Sequence, residues 1–276
     1  MLEIPEARIF SKQLTDTLAG KTIWSARANS SPHGFAWYSG DPAEYGDKLT
    51  GLQIGQSIGF GGMVEIEAGD LRIVFNDGIN IRYLAPGTPH PKKHQLLLVF
   101  GDESALVCTV SMYGGMFLYK EGEDTNGYSI GSRTKISPLT DAFDFDYFKS
   151  LRTEYTEKMP SKGFLATEQR VPGLGNGVLQ DILFNARIHP ARRMNTLSPA
   201  EFEGMFHAVK DTLKDMTDKG GRDVERDIFG SPGGYTTILS RNTVGKPCPV
   251  CGCEIRKKAY MGGSIYWCDG CQPLEG

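Results

Sequence analysis

The stretch QRVPGLGNGVLQDILFNARIHP, residues 169–190, decides how the rest of this chain is interpreted. A glycine-rich turn at residues 173–176 runs directly into apolar residues that recur at the spacing of one helical face. These are Leu179, Ile182, Leu183 and Ala186. The helix should end before Pro190, because the residue ahead of a proline is pushed out of the α region. Backbone N–H groups at a helix N-terminus form a general anion site, suited to a phosphate. A tight loop capped by Asn176 is the simpler alternative.

Composition and charge are those of a globular protein. The chain has 276 residues and a formal net charge of −3, and no apolar run reaches the length of a membrane span. Its first ten residues, MLEIPEARIF, lack the basic-then-apolar pattern of a signal peptide. We therefore expect a cytoplasmic protein that does not contact a membrane. The slightly acidic total provides no general attraction to nucleic acid, so any DNA binding requires a local basic patch.

The first half of the chain has the pattern of a helix followed by a β domain. A helix is predicted from Pro5 to Ala19. Beyond it, four runs alternate or are continuously apolar at strand length. They lie at residues 63–67, 71–75, 79–83 and 96–100. Strands at this spacing predict a sandwich or barrel-like domain. The polar residues 119–141 are predicted to be a linker.

The second half is predicted to be helical. One helix should begin after Asp144, and it is predicted to continue through a set of mostly apolar residues. The set comprises Phe145, Phe148, Leu151, Arg152 and Tyr155. A later helix begins at a capping box formed by Ser198 and Glu201, and it ends at Gly220 and Gly221.

The cysteines predict a metal site near the C-terminus. Two CxxC pairs, Cys248 with Cys251 and Cys268 with Cys271, are separated by sixteen residues. This spacing predicts one structural Zn²⁺ held by four thiolates in a zinc ribbon. Cys253 is an alternative to Cys251, at a less usual spacing. Four thiolates leave no open coordination position, so the metal should have no catalytic role.

Short motifs extend from one end of the chain to the other. They are Glu3, Pro5-Glu6, Gly173-Leu174-Gly175-Asn176, Ile188-His189-Pro190, Pro232-Gly233-Gly234-Tyr235, Gly245-Lys246-Pro247-Cys248 and Cys268-Asp269-Gly270-Cys271-Gln272. In this order they resemble the formamidopyrimidine-DNA glycosylase/endonuclease VIII family. The resemblance covers the whole chain and is strongest over residues 164–276.

The resemblance implies an α+β multidomain fold. Its parts are an N-terminal helix with a β-sandwich (residues 1–135), a helix–two-turn–helix DNA-binding domain (136–240) and a zinc-ribbon finger (241–276). It also implies a monomer, associated with the nucleoid, that binds double-stranded DNA containing damaged bases or abasic sites. The lesion base would be flipped out of the duplex before its N-glycosidic bond is cleaved. AP-lyase strand cleavage by β-elimination would follow.

The same resemblance implies roles for individual residues. Gly175 and Asn176 would hold the phosphate beside the lesion, and Tyr235 would add a further phosphate contact. On the hairpin between the two CxxC pairs, Arg256 and Lys257 are candidate DNA contacts.

The implied active centre departs from the family pattern at residue 2. The family nucleophile is a proline directly after the initiator methionine, whereas this chain has Leu2, which should keep Met1 in place. The α-amine of Met1 could replace the proline, because a reference pKa of roughly 7.7–8.0 leaves a neutral fraction at pH 7. Alternatively, Glu3 activates water, giving a glycosylase without efficient strand cleavage. In the third hypothesis the protein binds damaged DNA without chemistry.

Other family positions differ as well. The family's phosphate-binding lysine would align near Gly62, and its finger arginine near Gly263. Ile79 and Tyr113 are candidates to fill the gap left by a flipped base, or they are ordinary packing residues. The DNA-facing patch is expected from basic residues concentrated in the C-terminal half. These are Arg187, Arg192, Arg193, Arg222, Arg226, Arg241, Lys246, Arg256, Lys257 and Lys258.

The sequence therefore predicts a DNA glycosylase of base excision repair with an unusual amino-terminal active centre. The alternative is a catalytically inactive, zinc-containing protein that binds damaged DNA or abasic sites. A small-molecule enzyme built on the same scaffold has no positive signal in the sequence.

Overall fold

The computed structural model describes residues 2–274, and it begins with a helix packed on β-strands. Helix α1 spans Ile4–Leu18, with Pro5 in its first turn. Its buried residues include Ala7, Phe10 and Leu14. The chain then forms β1 (Ile23–Ala28), β2 (Ala36–Tyr38), α2 (Tyr45–Leu49), β3 (Ile54–Phe60), β4 (Met63–Ala68), β5 (Leu71–Phe75), β6 (Ile79–Leu84), β7 (Leu96–Phe100), β8 (Ala105–Val110) and β9 (Gly114–Lys120). The predicted first helix and all four predicted strands are confirmed.

These strands form two sheets that share one core. The four-stranded sheet has the order β1-β7-β8-β6, and the five-stranded sheet has the order β2-β9-β5-β4-β3. Ile73 of one sheet and Leu98 of the other belong to the same buried cluster. Helix α1 covers this core through Leu14 and Leu18, which are fully buried. The predicted β-sandwich with a leading helix is thus confirmed.

The helical half differs from the prediction at two places. Its helices are α3 (Gly127–Thr134), α4 (Phe145–Ser150), α5 (Glu154–Glu157), α6 (Ser161–Ala166), α7 (Asn176–Asn185) and α8 (Pro199–Asp218). Helix α3 lies inside the predicted linker, because the Asn126 side chain accepts hydrogen bonds from the first free amides of that helix. The single helix predicted after Asp144 is two helices, since Thr153 and Thr156 form a capping box that starts a new one. The capping box of Ser198 and Glu201 is confirmed.

A second core holds the helical half together. Helices α7 and α8 contribute its centre, including Leu179 and Val209, both fully buried. Aromatic rings from α4 and α8 stack on each other, with the centroids of Phe148 and Phe202 5.0 Å apart. No helix within residues 2–274 has the length and apolarity needed to cross a membrane.

The C-terminal finger is a two-stranded hairpin attached to α7. Strands β10 (Ile255–Tyr260) and β11 (Gly263–Cys268) pair in antiparallel register. Gln272, fully buried, donates to the carbonyl oxygen of Ile188 at 2.9 Å, and its side-chain oxygen accepts from the Cys268 N–H. The finger is therefore anchored at its base to the loop that follows α7.

The segment after α8 crosses back to the β domain. Ile228 is buried in the first core, and its carbonyl oxygen accepts from the Tyr83 N–H at 2.8 Å. Arg82 donates to the carbonyl oxygen of Asp227 at 2.6 Å. Residues 222–241, which we call the return segment, therefore lie between the two halves, beside the N-terminus of α1.

Candidate active centre and nucleic-acid interface

The glycine turn ahead of α7 packs against the turn between β3 and β4. Gly173 has a φ of +77° and accepts a hydrogen bond from the Ile4 N–H at 3.1 Å. A Cβ on Gly173 would lie 2.1 Å from the carbonyl carbon of Gly61, so only glycine fits. A Cβ on Gly62 would lie 3.0 Å from the Leu2 carbonyl oxygen. The start of the chain, the hairpin turn and the glycine turn therefore meet at one point.

The Glu3 carboxylate occupies the N-terminus of α7. Its two oxygens accept hydrogen bonds from the N–H groups of Gly177 (2.8 Å) and Val178 (2.7 Å). A Cβ on Gly175 would lie 2.4 Å from the same carboxylate. The helix N-terminus does bind an anion, as its dipole favours. That anion belongs to the chain itself, so these two amides are not free for a phosphate as the sequence suggested.

Arg222 joins Glu3 to Glu6 in a buried ion network. Its Nε and Nη2 donate to the Glu6 carboxylate at 2.9 and 2.8 Å, and its Nη1 lies 3.1 Å from Oε2 of Glu3. The three residues are at most 3% exposed. A Cβ on Gly177 would lie 1.9 Å from Nη1, so glycine at this position makes room for the guanidinium. The prediction that Arg222 belongs to a DNA-facing patch is wrong, because two interior carboxylates take its donors.

Two carboxylates share one guanidinium, and their pKa values move in opposite directions. Burial raises the pKa of Glu3; Arg222 opposes this shift and the charge of Glu6 reinforces it. Burial would also raise the pKa of Glu6, but the charge and hydrogen bonds of Arg222 hold it below its usual range. Glu3 is therefore the carboxyl of the network with the raised pKa, a property expected of an acid/base group.

Asn176 and Lys162 meet at the tip of the finger hairpin. The side-chain amide of Asn176 donates to the Ser264 carbonyl oxygen at 3.0 Å, and Nζ of Lys162 donates to that of Tyr260 at 2.8 Å. A Cβ on Gly263 would lie 3.4 Å from Nζ of Lys162 and 3.6 Å from the Asn176 amide. Burial lowers the pKa of Lys162. Sequence reasoning missed Lys162, whose only signal was a lone lysine in an apolar segment.

A cavity of about 420 Å³ opens beside this centre, between the β domain, α7, the return segment and the finger. Its volume lies within the range of small-molecule sites, about 300–1,000 Å³. Hydrogen-bonding side chains from all four parts line it, and Arg222 reaches its wall. The lining includes Asn80, Ser111, Asn176, Gln180, Thr237, Ser240 and Tyr266. A heterocycle with an apolar face and a hydrogen-bonding edge matches this volume and this mixed lining.

Tyr235 lies behind the wall of the cavity. It is 5% exposed, and its hydroxyl bonds to the Asp181 carboxylate. Asp181 also accepts the N–H groups of Ile238 (2.9 Å) and Leu239 (2.7 Å), and burial raises its pKa to about 6. These bonds hold the return segment against α7. The phosphate contact predicted for Tyr235 would require this wall to move.

The finger carries its predicted basic residues on β10. Arg256 is 60% exposed at its side chain and pairs with Asp269 at 2.6 Å. Lys257 is exposed and lies 5.8 Å from the ring centroid of Tyr266. Both side chains are accessible, so their predicted DNA contacts remain open. The predicted role of Met1 lies outside the described residues.

Four cysteine sulfurs converge at the base of the finger. Those of Cys248, Cys251, Cys268 and Cys271 lie within 4.8 Å of one another, with Cys251 and Cys268 3.2 Å apart. Bonds of about 2.3 Å in a tetrahedral zinc site place sulfurs roughly 3.8 Å apart. The Val250 N–H points at the Cys248 sulfur, 3.5 Å away. The four residues therefore fit a tetrahedral metal ion, and the predicted CxxC pairing describes their arrangement.

Of the two candidate wedge residues, one is buried. Ile79 is 2% exposed and belongs to the first core, so its wedge role is wrong. Tyr113 is exposed in the turn between β8 and β9, and its hydroxyl donates to Asp77 at 2.9 Å. Partial burial and Asp77 raise the pKa of Tyr113 to about 12.

Comparisons with known proteins agree with this architecture. The family model described as the formamidopyrimidine-DNA glycosylase H2TH domain matches residues 135–226. The chain is 27% identical to the formamidopyrimidine-DNA glycosylase of Lactobacillus gasseri over 285 residues, which cover 99% of both chains. It is 34% identical to that of Pelotomaculum thermopropionicum over 145 residues, which cover 51% of each. The chain is therefore similar to formamidopyrimidine-DNA glycosylases, through its H2TH domain and along nearly its whole length.

Solved structures show the same fold. Lactococcus lactis Fpg in complex with abasic-site DNA superposes with a TM-score of 0.83 at 23% identity, covering 98% of this chain and 99% of that one. The Thermus thermophilus MutM (Fpg) protein superposes with a TM-score of 0.80 at 22% identity, covering 99% of this chain and all of that one.

The centre of this chain departs from the pattern of the glycosylases that it resembles. The position where the family lysine was expected is Gly62, packed against Leu2 and Gly173. Where the finger arginine was expected, Gly263 lies beside the Lys162 ammonium group. Leu2 is 2% exposed and belongs to the first core. The cations of the centre are therefore Arg222, which follows α8, and Lys162 on α6. They do not lie at the two positions where the family pattern has its lysine and its finger arginine.

Proposed function

We propose that this protein is a DNA glycosylase of base excision repair that acts on double-stranded DNA carrying a damaged base or an abasic site. One observation carries the proposal: in a fold shared with these glycosylases, a cavity lined in part by hydrogen-bonding side chains opens beside a buried carboxyl of raised pKa, at the junction of all parts of the molecule. The related Lactococcus lactis protein has been solved with abasic-site DNA and with a lesion-containing DNA. Such an enzyme works where the genome is, so we expect it in the cytoplasm, at the nucleoid.

The cavity would receive the flipped base. Asn80, Ser111 and Thr237 offer both donors and acceptors for the edge of a heterocycle. Asn176 and Lys162, at the finger tip, would hold the backbone phosphate next to the lesion, which positions the strand without reading its sequence. Gly175, whose missing side chain makes room for the Glu3 carboxylate, would contact the same phosphate through its backbone.

Glu3 would transfer the proton that the reaction requires. Two hypotheses for the nucleophile remain: the α-amine of Met1, which would form an imine with the sugar and enable strand cleavage, or a water activated by Glu3. Arg222 would keep the Glu3 carboxyl oriented toward α7 in either case. One structural Zn²⁺ held by the four cysteines would stabilise the finger that carries Arg256 and Lys257.

A second candidate function is binding of damaged DNA without chemistry. The specific observation in its favour is the engagement of Glu3, whose two oxygens already accept two backbone N–H groups and face Arg222. These contacts favour the ionised form of Glu3 and so oppose the rise in its pKa that burial causes, which disfavours proton transfer by this carboxyl.

Borohydride trapping on duplex DNA with one abasic site separates these functions. The wild type is compared with Glu3→Gln and with Glu203→Gln, which changes an exposed carboxyl on α8. An adduct mapped to Met1 by mass spectrometry would establish a glycosylase/lyase. Base release from damaged DNA without trapping, lost in Glu3→Gln and retained in Glu203→Gln, would establish hydrolysis. Tight binding with neither product would overturn the enzyme and leave the binding protein.

A further inference from the structure

A surface of exposed aromatic side chains adjoins the cavity on the β domain. We call it the aromatic shelf, and it consists of the rings of Phe35 and Trp37, the side chain of Met112 and the ring of Tyr113. Their exposed fractions are 61%, 45%, 65% and 37%, respectively, which is unusual for such large apolar side chains. The rings of Trp37 and Tyr113 lie 6.0 Å apart between centroids. Met112 and Tyr113 also line the cavity, so the shelf and the cavity are continuous.

The backbone beneath the shelf is held in place. Strand β2 pairs in parallel with β9, which sets Trp37 opposite Gly115. The Gly114 N–H donates to the Phe35 carbonyl oxygen at 2.9 Å. The Tyr113 hydroxyl is tied to Asp77. The aromatic faces are therefore presented by a rigid edge of the sheet, which lowers the entropic cost of binding.

A basic loop is tied to the segment that carries the shelf. Residues 85–95 connect β6 to β7, and three hydrogen bonds of 2.7–3.1 Å join Asn29 and Ser31 to His94 and Gln95. The exposed residues of this loop include Lys92 and Lys93. Residues 29–40 and 85–101 contain no aspartate or glutamate, although the whole chain has a net charge of −3. These two segments therefore carry lysines and no carboxylate, and Asp77, which accepts from the Tyr113 hydroxyl, is an acidic group in contact with the shelf.

We propose that the aromatic shelf and the lysine loop bind an unpaired stretch of the DNA strand next to the lesion. The enzyme would therefore favour lesions in bubbles or single strands over lesions in fully paired duplex. Aromatic faces interleaved with lysines are the recognition chemistry of single-stranded nucleic acid: rings stack on bases and ammonium groups contact phosphates. Paired bases stack on each other and offer no free face. The inference rests on the proposed function, because it uses the DNA path through the cavity.

Binding to one abasic oligonucleotide in three forms tests this proposal. The forms are a full duplex, a duplex with a central unpaired bubble around the abasic site, and the single strand. We expect the wild type to bind the bubble and the single strand more tightly than the duplex. Trp37→Ala should weaken binding to the bubble and to the single strand by about tenfold, since stacking on one base contributes roughly 1–3 kcal/mol. Its affinity for the full duplex should barely change. Trp37→Phe should retain most of the preference for the bubble and the single strand. The double variant Lys92→Ala/Lys93→Ala should reduce the salt dependence of binding to these two forms.

Trp24→Ala is the matched control, because Trp24 is a 74% exposed tryptophan on β1 that belongs neither to the shelf nor to the lysine loop. Wild-type affinities of Trp37→Ala for all three DNA forms would overturn the proposal, and so would an equal loss on all three. A shelf that docks a protein instead would give the first of these results. Failure of the proposed function gives a different result. The wild type and the variants at position 37 would then all bind abasic duplex no more tightly than undamaged duplex.

Discussion

Arg222 is the residue that connects the start of the chain to the helix that carries the glycine turn. Its guanidinium contacts the carboxylates of Glu3 and Glu6 and lies against the Cα of Gly177. Two carboxylates and one guanidinium leave the network with one uncompensated negative charge when all are ionised. The two α7 amides that bind Glu3 reduce the cost of this charge. The arrangement depends on every one of these partners.

We expect Arg222→Met to destabilise the protein by about 3–5 kcal/mol at neutral pH, because it leaves two buried carboxylates facing each other without a cation. Both pKa values would then lie above their unfolded values. The loss of stability should therefore be small below the unfolded pKa of about 4.3 and should grow as the pH rises to 8. Urea unfolding at pH 5 and pH 8 measures this difference.

Lys12→Met is the control, since Lys12 forms an exposed pair with Asp16 and its loss should change the unfolding curve little at either pH. In the wild type, Glu6 has the opposite effect on how stability depends on pH. Its lowered pKa contributes stability that is present at neutral pH and is lost in acid. A pH-independent effect of Arg222→Met would show that the carboxylates are not the groups left unpaired.

At the scale of elements, the finger is joined to the helical half by buried amides. Gln272 bonds to the Ile188 carbonyl oxygen at the base of the finger, and Gln180 of α7 accepts from the Tyr266 N–H at 2.9 Å. Asn176 bonds to Ser264 near the tip. The third buried cluster is small, and three of its six buried members are cysteines. A hairpin with so little apolar burial needs its metal to remain folded.

We expect the purified protein to contain one Zn²⁺ per chain and Cys251→Ser to lose it. A missing thiolate leaves three ligands and costs the finger its folding energy, so DNA binding should fall with zinc content. Metal analysis and the release of zinc to a chromophoric chelator measure the stoichiometry.

Cys253→Ser is the matched control, because Cys253 lies two residues away, is also exposed, and is not among the four converging sulfurs. It should keep its zinc. The reverse result, with zinc lost from Cys253→Ser and kept by Cys251→Ser, would assign the fourth ligand to Cys253.

At the scale of the whole molecule, local sequence patterns predicted the secondary-structure elements. Contacts between residues far apart in the sequence determine the arrangement of the candidate active centre. The capping box of Ser198 was predictable because its partner, Glu201, is three residues away. Arg222 and Glu6 are 216 residues apart, and no local pattern indicates that they meet. For the same reason Arg222 was placed on the surface and Lys162 was missed. Gly177 lies just beyond the predicted turn and drew no prediction, although its lack of a side chain is required by the arginine behind it.

The charge distribution leads to a last prediction, for the salt dependence of DNA binding. The net charge of −3 gives no general attraction, and Arg222 is removed from the basic surface by burial. We therefore expect only about three or four phosphate contacts on duplex DNA and a slope of log affinity against log salt of roughly −3. Lys257→Ala should reduce the slope by about one and weaken all duplexes alike, because phosphate contacts do not read sequence.

Lys48→Ala, which removes an exposed partner of Glu44 on α2, should leave the slope unchanged. Fluorescence anisotropy between 50 and 200 mM salt measures all three proteins. A slope steeper than about −6 would contradict the small number of phosphate contacts, and an unchanged slope in Lys257→Ala would remove the finger from the DNA path.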